Sequence, residues 1–240
     1  MNFSDIKADF RLNFIVDERW RYLTSGLANT LKITFFAVIL GICIGTVVAI
    51  VRSSYDKAAS EMRPGVGKII LSVLNFICKI YLTVIRGTPV VVQLMIMYYI
   101  IFASSRNSMM VAVLAFGINS GAYVAEIIRS GIMSVDGGQS EAGRSLGFNY
   151  VQTMWHIIIP QALKNVLPAL ANEFIVLLKE TSVAGYVTIR DLTMGGNIIR
   201  AATYSPFMPL FAVALTYLVI VIFFTWLIGK LERRLKNSDR

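Results

Sequence analysis

The sequence predicts an all-α integral membrane protein, on three observations. Apolar residues make up 56% of the 240 positions, only 15% are charged, and the mean hydropathy is +0.65. Soluble domains run nearer a quarter charged. The apolar residues gather in uncharged runs long enough to cross about 30 Å of hydrocarbon. The net charge of +9 sits in clusters beside those runs, as in Lys230, Arg233, Arg234, Lys236 and Arg240. That is the distribution expected at a cytoplasmic membrane face, not on a nucleic-acid-binding surface.

A single transmembrane domain over 1–240 is expected. Residues 1–26 have no apolar core and no small-residue cleavage site, so no removable signal peptide is expected. Within them, 9–23 carry Phe10, Phe14 and Trp20 among charges and predict a helix lying in the interface. The uncharged run 33–51 is the first span, and its Gly41-x3-Gly45 permits close helix approach, within the subunit or across a dimer. Residues 52–68, with Arg52, Lys57, Arg63 and Lys68 against Asp56 and Glu61, read as a cytoplasmic loop. Cys43 and Cys78 fall inside apolar runs and read as packing residues, with no metal-ligand spacing.

The run 69–105 is too long for one ordinary span, and Arg86-Gly87-Thr88-Pro89 interrupts it. Pro89 removes a backbone donor and clashes with the preceding turn, so a break is expected. Two spans joined there would give six crossings, and one broken span five. Residues 107–125 are uncharged, with the helix continuing through Arg129. Residues 157–178 return across the membrane, although Pro160, Lys164, Pro168, Asn172 and Glu173 require that helix to face protein or water. Residues 181–200 read as a turn-rich external connection, and 201–229 as the last span.

Three groups of residues carry chemistry. An arginine at membrane depth costs about 2.5–3.5 kcal/mol unless paired, so Arg86 needs a partner. Either Glu126 or Glu173 forms an ion pair with it, or the exposed backbone of a broken helix and Arg86 together take a carboxylate ligand. Asn119, Tyr123, Glu126 and Ser130 fall within about 60° of one another on a helix wheel, a polar stripe that lines a cavity or a helix contact. Glu126 then meets a ligand cation, or pairs with Arg86 or Arg129. Asn165, Asn172 and Lys179 share a face beside Glu173 and Glu180, and the Thr181 and Ser182 hydroxyls serve a polar ligand or a helix cap. His156 stands alone, without metal-ligand neighbours. No Gly-x4-Gly-Lys-Ser/Thr loop is present, so any nucleotide binds another chain. No Ser/His/Asp arrangement marks an enzyme.

Between two spans lies EAGRSLGFNYVQTMWHIIIP, residues 141–160. Ala142, Arg144, Ser145 and Leu146 favour helix, Gly147 suits a left-handed stop, and Asn149 can cap a second short helix. Glu141 is expected at the entrance of the first. The stretch resembles the EAA loop of permease subunits of ATP-binding-cassette (ABC) importers, whose pattern is E-A-A-x3-G-x9-I-x-L-P. Glu141, Ala142, Gly147, Ile157 and Pro160 match in register, while Gly143 and Ile159 depart to a small and an aliphatic residue. Arg86-Gly87-Thr88-Pro89, GAYVAEIIRSGI and LPALANEFIVLLKETSV resemble the corresponding segments of polar amino-acid permeases.

That resemblance implies a MetI-like permease fold of five spans in a prokaryotic cytoplasmic membrane, with 1–26 outside and the tail inside. It implies that 137–156 are a cytoplasmic coupling loop, with Glu141, Ala142, Gly143, Gly147 and Pro160 as ATPase-coupling residues. Arg86, Gly87, Thr88, Asn119, Tyr123, Glu126, Asn172, Glu173, Lys179, Thr181 and Ser182 become substrate-pathway candidates. The implied partners are two ATPase subunits carrying ATP and Mg, a second permease subunit of the same or another chain, an extracellular amino-acid-binding protein and the lipid bilayer. The acids tilt the expected cargo toward a basic amino acid. A channel or structural membrane subunit without ATP coupling is the alternative.

Overall fold

The computed structural model describes residues 3–58, 62 and 64–237; Glu61, Arg63 and Arg240 of the charge clusters lie outside them. Every regular element among the described residues is helical: α1 (Phe3–Phe10), α2 (Trp20–Ala58), α3 (Val66–Gly87), α4 (Val90–Ile96), α5 (Ser108–Met133), α6 (Gly137–Ser145), α7 (Tyr150–Thr153), α8 (Ile159–Glu180), α9 (Leu192–Thr203) and α10 (Phe207–Asn237). By length and apolarity α2, α3, α5 and α10 are each fit to cross a membrane. The 22 residues of α8 reach about 33 Å, enough to cross, although its polar residues dilute the apolar signal.

The expected break is present. Thr88 is extended (φ −123°, ψ 145°) and ends α3 at Gly87, as a residue preceding proline prefers. The chain restarts as α4 and a wider π turn, Met97–Ile101. Those 12 residues, Val90–Ile101, reach only about 18 Å, so they continue a crossing and do not make one. Five crossings therefore fit, not six.

The chain divides into two compact units. One comprises Met1–Ala37, Val90–Phe116 and Phe174–Trp226. In it, the single interfacial helix expected over 9–23 is broken. Asp17 and Glu18 both take positive φ (54° and 52°), separating α1 and its following turn from α2. Arg19 holds the bend, donating to the Leu12 carbonyl at 2.6 Å and to Asp17 at 2.8 Å. The N-terminal segment is anchored by buried Asn13, whose Oδ1 accepts from the Thr203 hydroxyl at 2.7 Å.

The same unit corrects the expected turn-rich connection over 181–200, because much of it is α9. Asp191 begins this helix, its carboxylate accepting from the Thr193 and Met194 amides at 3.0 and 3.2 Å. Asp191 is fully buried, and burial pushes its carboxyl above the ordinary value against the pull of those amides. The folded state therefore binds the proton more tightly than the unfolded one. The resulting stability is fully present below the ordinary value of 3.8 and is lost as pH rises through the raised folded value. Thermal denaturation in detergent is expected to show that dependence, and Asp191→Asn to remove it.

The other unit comprises Val38–Pro89, Gly117–Glu173 and Leu227–Arg240. One core cluster in it is Val48, Leu82, Ala122 and Ala125, with Ile44, Cys78, Tyr81 and Ile85 against it, and another is Ile132, Ile158 and Ala162. Gly41 and Gly45 let α2 lie directly on α5, which selects packing within the subunit from the two readings of that motif. A Cβ at Gly45 would stand 2.6 Å from Val124 Cγ1 and 2.8 Å from the Ala125 backbone nitrogen. Backbone cannot yield as a side chain does, so Gly45→Leu is expected to cost at least about 1–3 kcal/mol. A lower thermal midpoint would register it, whereas Gly229→Ala, with nothing within 4 Å, should leave the midpoint in place.

Candidate functional site

The second unit gathers most of the candidate residues. The break after α3 leaves Arg86 near the helix end, its guanidinium 5.7 Å from the centre of the Tyr123 ring and 3.9 Å from Glu126 Oε1. Glu126 Oε2 accepts from Arg129 at 3.3 Å, and Arg129 also donates to Asp56 at 3.3 Å. The Arg86 side chain is 45% exposed. A pair this long and open contributes less than about 1 kcal/mol, so Arg86 is loosely held. Glu173 is buried and accepts from the Ser120 hydroxyl at 2.9 Å.

Arg86, Tyr123, Glu126, Ser130, Asn165 and Glu173 line one cavity of about 530 Å³, within the 300–1,000 Å³ range of small-molecule sites. The polar stripe on α5 thus does line a cavity, apart from Asn119, which is buried outside that lining. On α8 the cavity row is Asn165, Ala169 and Glu173, at four-residue spacing. Asn172, exposed like Asn165, shares its face at seven-residue spacing but does not line the cavity. A second cavity of about 440 Å³ shares Arg86 and Glu126 and adds Gly87, Arg52, Lys79, Leu82 and Thr83.

Thr88 lines neither cavity. Its hydroxyl donates to the Val84 carbonyl at 2.9 Å and closes the end of α3. Lys179, Thr181 and Ser182 belong to the first unit. Buried Thr181 donates to the Leu178 carbonyl at 2.8 Å, a cap, while Lys179 is exposed and Ser182 half-buried. Arg52 and Asp56, expected as loop charges, lie on α2, because no glycine or proline stops that helix before Ala58, and it carries both into this unit.

The loop between α5 and α8 forms a knob. Asp136 caps α6, its carboxylate accepting from the Gly138 amide. Glu141 consequently sits partway along α6 and not at its entrance, and the favourable dipole interaction passes to Asp136. Gly147 is left-handed (φ +81°), its amide bonded to the Arg144 carbonyl at 2.9 Å. Asn149 and Gln152 then close a reciprocal capping box, both bonds 2.9 Å. Gly143 is buried, and a Cβ there would stand 2.8 Å from Thr153 Cγ2, which explains the small residue. Pro160 has no amide to give the preceding turn, and a π turn over Met154–Ile158 precedes it. Ala142, like Glu141, is exposed. Leu146, Val151 and Trp155 project outward, 73%, 71% and 68% exposed.

Known proteins are similar to this chain. Residues 69–237 match the family described as binding-protein-dependent transport system inner membrane component. The arginine transport system permease protein ArtQ of Bacillus subtilis is 36% identical over 221 residues, covering 91% of this chain and 94% of its own. The glutamine transport system permease protein GlnP of Escherichia coli is 37% identical over 168 residues, covering 68% and 77%. A crystal structure of an amino acid ABC transporter with histidines superimposes at a TM-score of 0.79 with 38% identity, covering 98% of this chain and 99% of that one. An inward-facing methionine ABC transporter, MetNI, shares the fold at a TM-score of 0.71 and 19% identity, covering 90% and 97%.

Proposed function

Since the chain belongs to the family of binding-protein-dependent transport system inner membrane components, a multi-pass permease subunit served by a separate ATPase and a binding protein, we propose that it moves polar L-amino acids by ATP-driven alternating access. The observation that carries this reading is the cavity where Arg86, Tyr123, Glu126 and Glu173 meet. One guanidinium and two carboxylates there match the opposite charges of an amino acid. Arg86 takes the carboxylate, with the α3 break at Gly87 and Thr88 giving access to backbone groups. Glu126 and Glu173 take the ammonium, or the cationic end of a basic side chain. Asn119 and Asn172 flank the pathway.

The acids outnumber the cation in this cavity, which favours arginine-like cargo. The relatives named for arginine and glutamine transport agree with the substrate class. Two copies of the permease, or this chain with a related one, stand over two ATPase subunits that hold ATP and Mg. Glu141, Ala142, Gly143, Gly147 and Pro160 shape the knob that seats on the ATPase. ATP binding draws the two knobs together and opens the pathway outward, and hydrolysis resets it.

Uptake by proteoliposomes containing the whole complex, binding protein and a panel of radiolabelled amino acids tests this. ATP-dependent accumulation of a basic amino acid, with weaker accumulation of glutamine, is expected. Uptake that runs down the gradient without ATP would mark a channel.

A further inference from the structure

The smaller cavity has a wall that no motif announces. Asn75, Lys79, Thr83 and Arg86 fall within about 80° of one another along α3, a polar row on a helix whose Val73, Phe76, Ile77, Ile80 and Val84 all project outward. Lys79 lies two turns before Arg86, about 10 Å nearer the α2–α3 connection. Arg52 reaches across from α2 and donates to Asn75 Oδ1 at 2.8 Å. Its Nε is buried with no partner among the described residues. Lys79 forms no ion pair among the described residues.

Arg52, Lys79 and Arg86 therefore face one volume of about 440 Å³ with a single acid, Glu126, and that acid is already shared with Arg129. Cations on membrane-crossing helices need water or an anion. The ammonium of Lys79 offers a mobile point charge, Arg52 a planar fork and Thr83 a hydroxyl donor. We propose that this cavity is an anion subsite that receives the substrate's α-carboxylate after it leaves Arg86, on the side of the α2–α3 connection. The assignment rests on the transport reading above and adds Arg52, Lys79 and Thr83 to the residues that meet the cargo. A phospholipid phosphate has the same chemistry, and the test separates the two.

In proteoliposomes holding the complete complex and binding protein, amino-acid uptake is measured per ATP hydrolysed. Lys79→Gln is expected to lower that ratio about tenfold, the size of one lost charge-assisted hydrogen bond, and Lys79→Arg to restore most of it. An unchanged ratio overturns the proposal. So does a loss that Lys79→Arg does not recover, which marks a structural role, or a loss seen only in vesicles containing phosphatidylglycerol, which marks a lipid phosphate. If Lys79→Gln does not assemble, Thr83→Val, isosteric and on the same wall, is read in the same way. Failure of the unaltered complex to take up any amino acid would sink the transport reading instead, so the two failures are distinct.

Discussion

Glu126→Gln is expected to reduce uptake of a basic amino acid by about ten- to a hundredfold while the subunit still assembles with its partners. The range follows from losing a hydrogen bond to a charged group, about 1.5–3 kcal/mol, at 1.4 kcal/mol per tenfold. Glu126 lines both cavities and stands between two arginines. Its neutralisation removes the acceptor for a cationic ligand and releases Arg86 and Arg129 together. A merely structural ion pair predicts a different pattern, with lower thermal stability and unchanged uptake kinetics in the protein that remains folded. Initial-rate uptake alongside thermal melting distinguishes the two.

The second large effect is expected at the knob. Gly147→Pro forces φ from +81° to about −65° and deletes the amide that bonds to the Arg144 carbonyl. The turn between α6 and α7 cannot survive both changes. ATP hydrolysis stimulated by loaded binding protein should fall to its unstimulated rate. Gly147→Asn, which tolerates the left-handed region and keeps the amide, should retain most of the stimulation. Equal losses in both variants would mean that the shape of the turn is not what the ATPase reads.

These features differ in how visible they are in the amino-acid order. The break at Gly87-Thr88-Pro89, the stop at Gly147 and the cap at Asn149 are each imposed by one residue's own chemistry, so they are readable locally. The stripe of Tyr123, Glu126 and Ser130 is readable because it repeats at helical spacing on an apolar background. The ends of α2 and α6 are not. Charges from Arg52 to Asp56 look like a loop, yet nothing in them stops a helix, and Asp136 captures the start of α6 before Glu141 is reached. Asp191 could have announced α9 as an N-cap, but the glycines after it read as turns. The cavity beside Lys79 is visible only once Arg52 is brought to Asn75 from another helix, a pairing 23 positions apart in the chain.

The central claim is that the knob lies inside the cell, gripped by a nucleotide-driven partner. It is tested most directly by a single cysteine at Ala142 in a chain whose Cys43 and Cys78 have been replaced. A membrane-impermeant thiol reagent is applied to intact cells, to permeabilised cells, and to permeabilised cells supplied with the ATPase subunit. The account predicts no labelling in the first, labelling in the second and protection in the third. Labelling of intact cells, or no protection by the ATPase, would contradict it.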